Sequence, residues 1–225
     1  MPSANSRIGR EQPIADFLRF LSSYLGEPRP EYRIPASAIP AFVPPPLRAI
    51  YEFAGKWPER HPEQWFDDEE GKRVFQVQDW LHNVENLRID AERLIFATEN
   101  QGCWRAETLP GQDDPPVWCR RDTEAEQVAV RLSHFLVTMC MQEIVFGSKH
   151  VLIADGGPKV PNELVHRPVE PVWLDGPYVY THRQTDIYIC DERLLLMREI
   201  GWWLGFEEES ARDFIVGQQQ LRRIR

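Results

Sequence analysis

Between residues 94 and 120, three β-type runs alternate with two turn clusters, and this constrains the fold more than any other feature of the chain. "LIFA" at 94–97 is followed by the corner "ENQG" at 99–102, and "QGCWRAETL" forms a second run. "GQDDPP" at 111–116 is a turn, because Asp and Gly supply turn chemistry and two prolines stop any helix. "PVWCR" is a third run, and runs this short joined so tightly pair as an antiparallel meander. Two readings of the corner are open on residue types alone. Glu99, Asn100, Gln101, Cys103, Trp104, Arg105 and Glu107 could be an active site compressed into one turn. They could instead be the polar corner of a β-hairpin, with 94–97 and 102–107 as its strands. In the hairpin, Glu99, Asn100 and Gln101 fill the turn and Gly102 is free to take positive φ. Asn and Gln amides can satisfy backbone groups left open there, and Trp104 and Trp118 pack on one face of the sheet.

Helices flank the meander. Ile14, Phe17, Leu18, Leu21, Tyr24 and Leu25 recur at helical spacing, with Pro13 suited to the first turn and Gly26 to the end. The first ten residues carry no such pattern and are expected to be disordered. "EPRPEYRIPASAIPAFVPPP" holds too many prolines for a helix or central strand, so it is an extended connection. Leu47, Ile50, Tyr51 and Ala54 predict a short helix closed by Gly55. Thr123 with Glu126 reads as a capping box opening the longest helix. Its apolar face would hold Val128, Leu132, Phe135, Leu136, Met139 and Glu143, with Val130, Val137 and Met141 on a second side and His134 inside. Beyond 150 the pattern is β-rich: "VEPVWL", "PYVYTH", "TDIYIC", "RLLLM" and "GWWLGF", with a turn at Asp175-Gly176-Pro177. "EEESARDFIVGQQQ" reads as a closing helix.

Composition excludes several classes of function. A net charge of −9 offers no basic field for a phosphate backbone, so direct nucleic-acid binding is not expected. No run approaches the roughly 18 apolar residues of a membrane span, and the N-terminus lacks the apolar stretch of a secretory signal. Cys103, Cys119, Cys140 and Cys190 form no CxxC pair; they read as small buried hydrophobes, kept reduced in a cytoplasmic protein. The six histidines never fall at metal-ligand spacing, so neither a metal nor another cofactor is expected. No phosphate-loop, dinucleotide, nucleophile-elbow or zinc-protease motif occurs. "DGGPK" at 155–159 resembles a phosphate loop in composition only. Glu70-Gly71-Lys72 has the E-x-K order of some nucleases, but Asp67 and Asp68 stand too close in sequence to complete that site.

"FATENQGCW", followed by "DDPPVW", resembles the SUKH superfamily, whose members carry an "ENQG"-like turn between two strands and then a "DPPV"-like strand opening. "PPPLRAIYEFAGKWP" is similar to the family's early helix, and "LSHFLVTMCMQE" to its mid-chain amphipathic helix. The likeness runs over roughly residues 40 to 215, within a single domain over 11–225, and is concentrated in 96–104 and 113–118. The resemblance implies an α+β fold, with a bent, mostly antiparallel sheet packed against several helices. It also makes Glu99, Asn100, Gln101, Gly102, Trp104, Asp114, Pro115, Pro116, Val117 and Trp118 structural signature residues rather than catalytic ones. The implied function is non-enzymatic: an immunity protein that binds and neutralises a cognate secreted toxin of nuclease or deaminase type. A regulatory scaffold for an endogenous partner protein is the alternative, and an unrecognised hydrolase or nuclease a more distant one. An acidic inhibitor suits a basic target. Trp65 and Phe66 beside Asp67, Asp68, Glu69 and Glu70 combine an aromatic anchor with a negative rim, and are the expected partner contact.

Overall fold

The computed structural model describes residues 8–56, 59–60, 72–154, 163–172, 186–198, 201–217 and 221–224. Three α-helices occur among them: α1 (Pro13–Leu25), α2 (Pro45–Ala54) and α3 (Leu132–Gly147). Strands β1 (Glu59–Arg60), β2 (Lys72–Arg73), β3 (Asp79–Leu81), β4 (Arg88–Asp90), β5 (Arg93–Glu99), β6 (Arg105–Thr108), β7 (Val117–Arg121) and β8 (Glu124–Ala129) precede α3. Strands β9 (His150–Ala154), β10 (Val169–Pro171), β11 (Asp186–Cys190), β12 (Leu194–Arg198), β13 (Trp202–Phe206) and β14 (Arg222–Arg223) follow it. The fold is α+β, and each strand pair is antiparallel. Apart from the β1–β2 ribbon, the strands divide between two six-stranded sheets.

The chain groups into two compact units. Pro28–Glu143 with Leu174–Gln184 forms a central unit, and Met1–Glu27, Ile144–Trp173 and Thr185–Arg225 form a terminal one. The boundary falls inside α3, where no Pro, Gly or charge run marks it: 132–143 belong to the central unit and 144–147 to the terminal one.

In the central unit, the strands follow the order β3-β5-β6-β7-β8, with β4 also on β5. This is the meander expected from the turn signals, with β5, β6 and β7 adjacent in chain order. A register shift between Ile95 and Ala97 bends β5. Leu81, Ala97, Ala106 and Cys119 line the inner face and are buried, and Phe96 meets Phe135 of α3 edge-on at 5.7 Å. α2 starts at its prolines, and Leu47, Ile50, Tyr51 and Ala54 are buried at the expected spacing.

The segment before α3 corrects the sequence reading. Thr123 and Glu126 open no helix: Asp122, at φ 49°, turns the chain back, and 124–129 run as β8 beside β7. Val128 therefore belongs to a strand, and Val130 is 59% exposed in the connection to the helix. α3 begins only at Leu132, and Asp114 holds its start. Asp114 Oδ1 accepts the Ser133 N–H at 2.8 Å, and its Oδ2 accepts the Ser133 hydroxyl at 2.7 Å. A carboxylate on a first-turn amide satisfies an orphan donor at the positive end of the helix.

In the terminal unit, the sheet order is β10-β11-β12-β13-β9-β14. Both of its faces are apolar: Leu152, Leu194, Leu196 and Leu204 lie on one, and Val151, Ile187, Leu195 and Met197 on the other. Phe146 meets Trp203 edge-on at 4.9 Å, and Tyr24 of α1 hydrogen-bonds Ser148 at 2.9 Å. Gly205 is required here, because a Cβ would stand 2.9 Å from the Val145 carbonyl oxygen and 2.6 Å from Ser148 Oγ. The chain is already in place at Ile8, which is buried, and the Gly9 N–H donates to Asp16. The expected closing helix is shorter than its sequence pattern, a 3₁₀ helix over Glu209–Phe214. Residues 1–7, the "DGGPK" run, "PYVYTH" and the turn at 175–177 lie outside the described residues.

Candidate functional site

The "ENQG" corner is a hairpin turn built on one carboxylate. Glu99 ends β5 and is buried; its backbone N–H donates to the Trp104 carbonyl at 3.0 Å, and its carbonyl accepts the Gly102 N–H at 2.9 Å. Its side-chain Oε2 accepts the Gln101 N–H at 2.9 Å and the Cys103 N–H at 3.0 Å. Gly102 takes φ 76°, as a turn of this shape requires. The amide side chains are not what satisfies this backbone: Asn100 Oδ1 is sealed from solvent with no hydrogen-bond partner among the described residues. Gln101 is exposed and Trp104 is buried beneath the turn.

Cys103 is exposed, unlike Cys119, Cys140 and Cys190, and this corrects its reading as a buried hydrophobe. The neighbouring Glu99 carboxylate raises its thiol pKa, the opposite of what a thiolate nucleophile needs. The Glu99 carboxylate thus orders the backbone of the corner.

The "DPPV" residues also have structural placements. Asp114 holds the start of α3, Pro115 is buried, and the Pro116 carbonyl accepts the Thr108 hydroxyl at 2.8 Å. Val117 is buried on the inner face, whereas Trp118 is half-buried on the outer face beneath the Arg93 guanidinium, 3.8 Å from its ring centre. Trp104 lies immediately before β6, and only Trp118 joins this outer array. The expected contact at Trp65, Phe66, Asp67, Asp68, Glu69 and Glu70 lies outside the described residues.

The structure adds a cluster that sequence reasoning missed. Strand parity places Arg105 and Glu107 of β6 with Trp118 and Arg120 of β7 on the outer face. Glu107 Oε1 accepts from Arg105 Nε and Arg120 Nε, each at 2.7 Å, and its Oε2 accepts Arg120 Nη2 at 3.1 Å. Arg105 Nη2 reaches on to Asp90 at 2.8 Å. Burial pushes the Glu107 carboxyl up, but hydrogen bonds and charge from Arg120 and Arg105 outweigh it and hold it low. The alternation R-A-E-T in β6 was the available signal, since it sets two opposite charges on one side of a strand.

A second buried acid lies behind the sheet. Glu143 of α3 accepts the backbone N–H groups of Val77 at 2.6 Å, Gln78 at 2.7 Å and Asp79 at 3.0 Å. Burial and the nearby Asp79 carboxyl raise its pKa. Both acids are fully enclosed, so the pair fixes the start of β3 and presents nothing to a substrate. Among the described residues, no group of three His, Cys, Asp or Glu side chains could hold a metal ion, and no helix is long and apolar enough to cross a membrane.

No family model matches the sequence, and neither a curated protein nor a solved structure matches it.

Proposed function

We propose that the protein is a non-enzymatic binding module of the SUKH immunity type, which neutralises a cognate secreted toxin of nuclease or deaminase type in the cytoplasm. The observation that carries this reading is the use of the signature acids. Glu99 is spent on two turn amides and Asp114 on the start of a helix, so neither is free for proton transfer or ligand chemistry. An acidic chain of net charge −9 also suits steering toward a basic toxin, with the 65–70 run as the proposed contact.

The test is co-expression with the toxin domain encoded by a neighbouring gene. Rescue of growth together with a stoichiometric complex on size-exclusion chromatography is the expected result. A complex without rescue would favour the regulatory-scaffold role, and substrate turnover by the purified protein alone would replace both readings with an enzymatic one.

A further inference from the structure

The outer face of the central sheet differs in charge from the rest of the chain. The register aligns Trp80, Thr98, Arg105 and Arg120 in one row, and Arg88, Ile95, Glu107 and Trp118 in the next. Arg93 shares this face through its stack on Trp118, and Asp90 through its bond to Arg105. Among the described residues, Arg88, Arg93, Arg105 and Arg120 share this face with two carboxylates, Asp90 and Glu107, an excess of two positive charges on a chain of net charge −9. The acids of β8, Glu124 and Glu126, fall on the opposite side by register with Arg121 and Cys119.

Three features suit this face to recognition. Trp80 is 42% exposed on β3, a flat apolar anchor at the margin. Arg105 and Arg120 keep 28% and 27% of their side chains exposed while Glu107 fixes their orientation, so little rotamer entropy remains to be lost on binding. Arg93 Nη1 is enclosed and has no hydrogen-bond partner among the described residues.

We propose that this face docks an acidic segment of a partner protein, with Trp80 as the apolar anchor and Arg88, Arg93 and Arg105 supplying the counter-charge. Charge complementarity favours such a segment over a nucleic acid. A short run of carboxylates feels the local excess within a Debye length of about 8–10 Å, whereas a long polyanion also meets the negative remainder of the chain. The proposal uses none of residues 65–70 and does not depend on the partner being a toxin.

The test is fluorescence anisotropy of the full chain with three labelled probes: a Glu-rich peptide carrying two tyrosines, the same peptide with Gln for Glu, and a single-stranded oligothymidylate. Saturable binding of the Glu-rich peptide alone, weakening as salt rises, is expected. Trp80→Ala and Arg88→Glu should each weaken it by at least about tenfold, equivalent to about 1.4 kcal/mol. Both positions are exposed, so the variants should keep the wild-type urea midpoint, and Glu126→Gln on the opposite face should bind as wild type. Absence of saturable binding, equal binding of the Gln peptide, preference for the oligothymidylate, or wild-type affinity in both outer-face variants would each overturn the proposal.

Discussion

Glu107 and Glu143 are the same residue in the same unit, both withdrawn from water, yet their surroundings push their carboxyls in opposite directions. Glu107 sits between two guanidinium groups, which overcome its burial and hold its pKa low. Glu143 has three backbone N–H groups but also a second buried carboxyl, Asp79, and burial with that neighbour raises it. Burial alone therefore does not set the protonation state of a glutamate here; the charge of its nearest neighbours does. The two also support different structures. Glu107 ties β6 to β7 and, through Arg105, to the turn end of β4, whereas Glu143 pins the start of β3 to α3.

The sharpest way to break this comparison is to remove the acid from the guanidinium pair. Glu107→Ala takes the shared acid from Arg105 and Arg120 and leaves Arg105 with Asp90. Loss of one partner from a buried ion pair costs about 3–5 kcal/mol. Because both arginines keep about a quarter of their surface in water, the lower end, about 3 kcal/mol, is expected. A urea midpoint near wild type would show that the cluster carries little of the stability of the sheet.

The pH dependence should separate the two acids by sign. A carboxyl held low in the fold stabilises it above the ordinary carboxylate range, and that contribution is lost as pH falls through the folded value. Glu107 thus belongs to the acid limb. A carboxyl raised in the fold contributes fully below the unfolded value of about 4.5, and the contribution is lost as pH climbs toward its folded value of about 8. Glu143 thus belongs to the neutral-to-alkaline limb, with the Asp79 carboxyl as one cause of its shift. Asp79→Asn removes the second charge and leaves Gln142 Nε2 an acceptor. The variant should lose less stability than wild type between about pH 5 and 8, by about 2 kcal/mol, as one to two pKa units are worth. Parallel stability curves for the two proteins would show that Asp79 is not what raises Glu143.

These contrasts also show what was legible in the sequence. The helices at 13–25 and 45–54 were readable because proline starts and apolar spacing are local signals. The meander was readable because its turns hold their own chemistry. The start of α3 was not, since its cap comes from Asp114, nineteen residues before Ser133. Thr123 and Glu126 match a local capping pattern, but the turn at Asp122 commits them to a hairpin. The strand beside it, "EAEQVA", lies exposed along most of an edge and lacks the alternation that marks a half-buried strand. Glu143 was visible as an acid on an apolar helical face, but its three amide partners lie 64 to 66 residues away. Glu107 was hidden for a similar reason: its parity with Arg105 is local, while Arg120 reaches it from the next strand.

A third buried glutamate gives the smallest and most specific test. Glu99, which stands opposite Asp79 in the β3–β5 register, uses its Oε2 to accept two amides of its own turn. Removing it should affect the corner alone. Glu99→Ala leaves the Gln101 and Cys103 amides without their acceptor. Because both residues are exposed, water can replace part of what is lost. A cost of about 1–2 kcal/mol is expected, less than for Glu107. Asn100 stands next to it in the same signature, but its Oδ1 makes no hydrogen bond among the described residues, so Asn100→Ala should cost less than about 0.5 kcal/mol. Urea midpoints of the two variants, measured side by side, decide which residue holds the turn. If Asn100→Ala proves the costlier, an amide maintains the corner and the carboxylate is secondary.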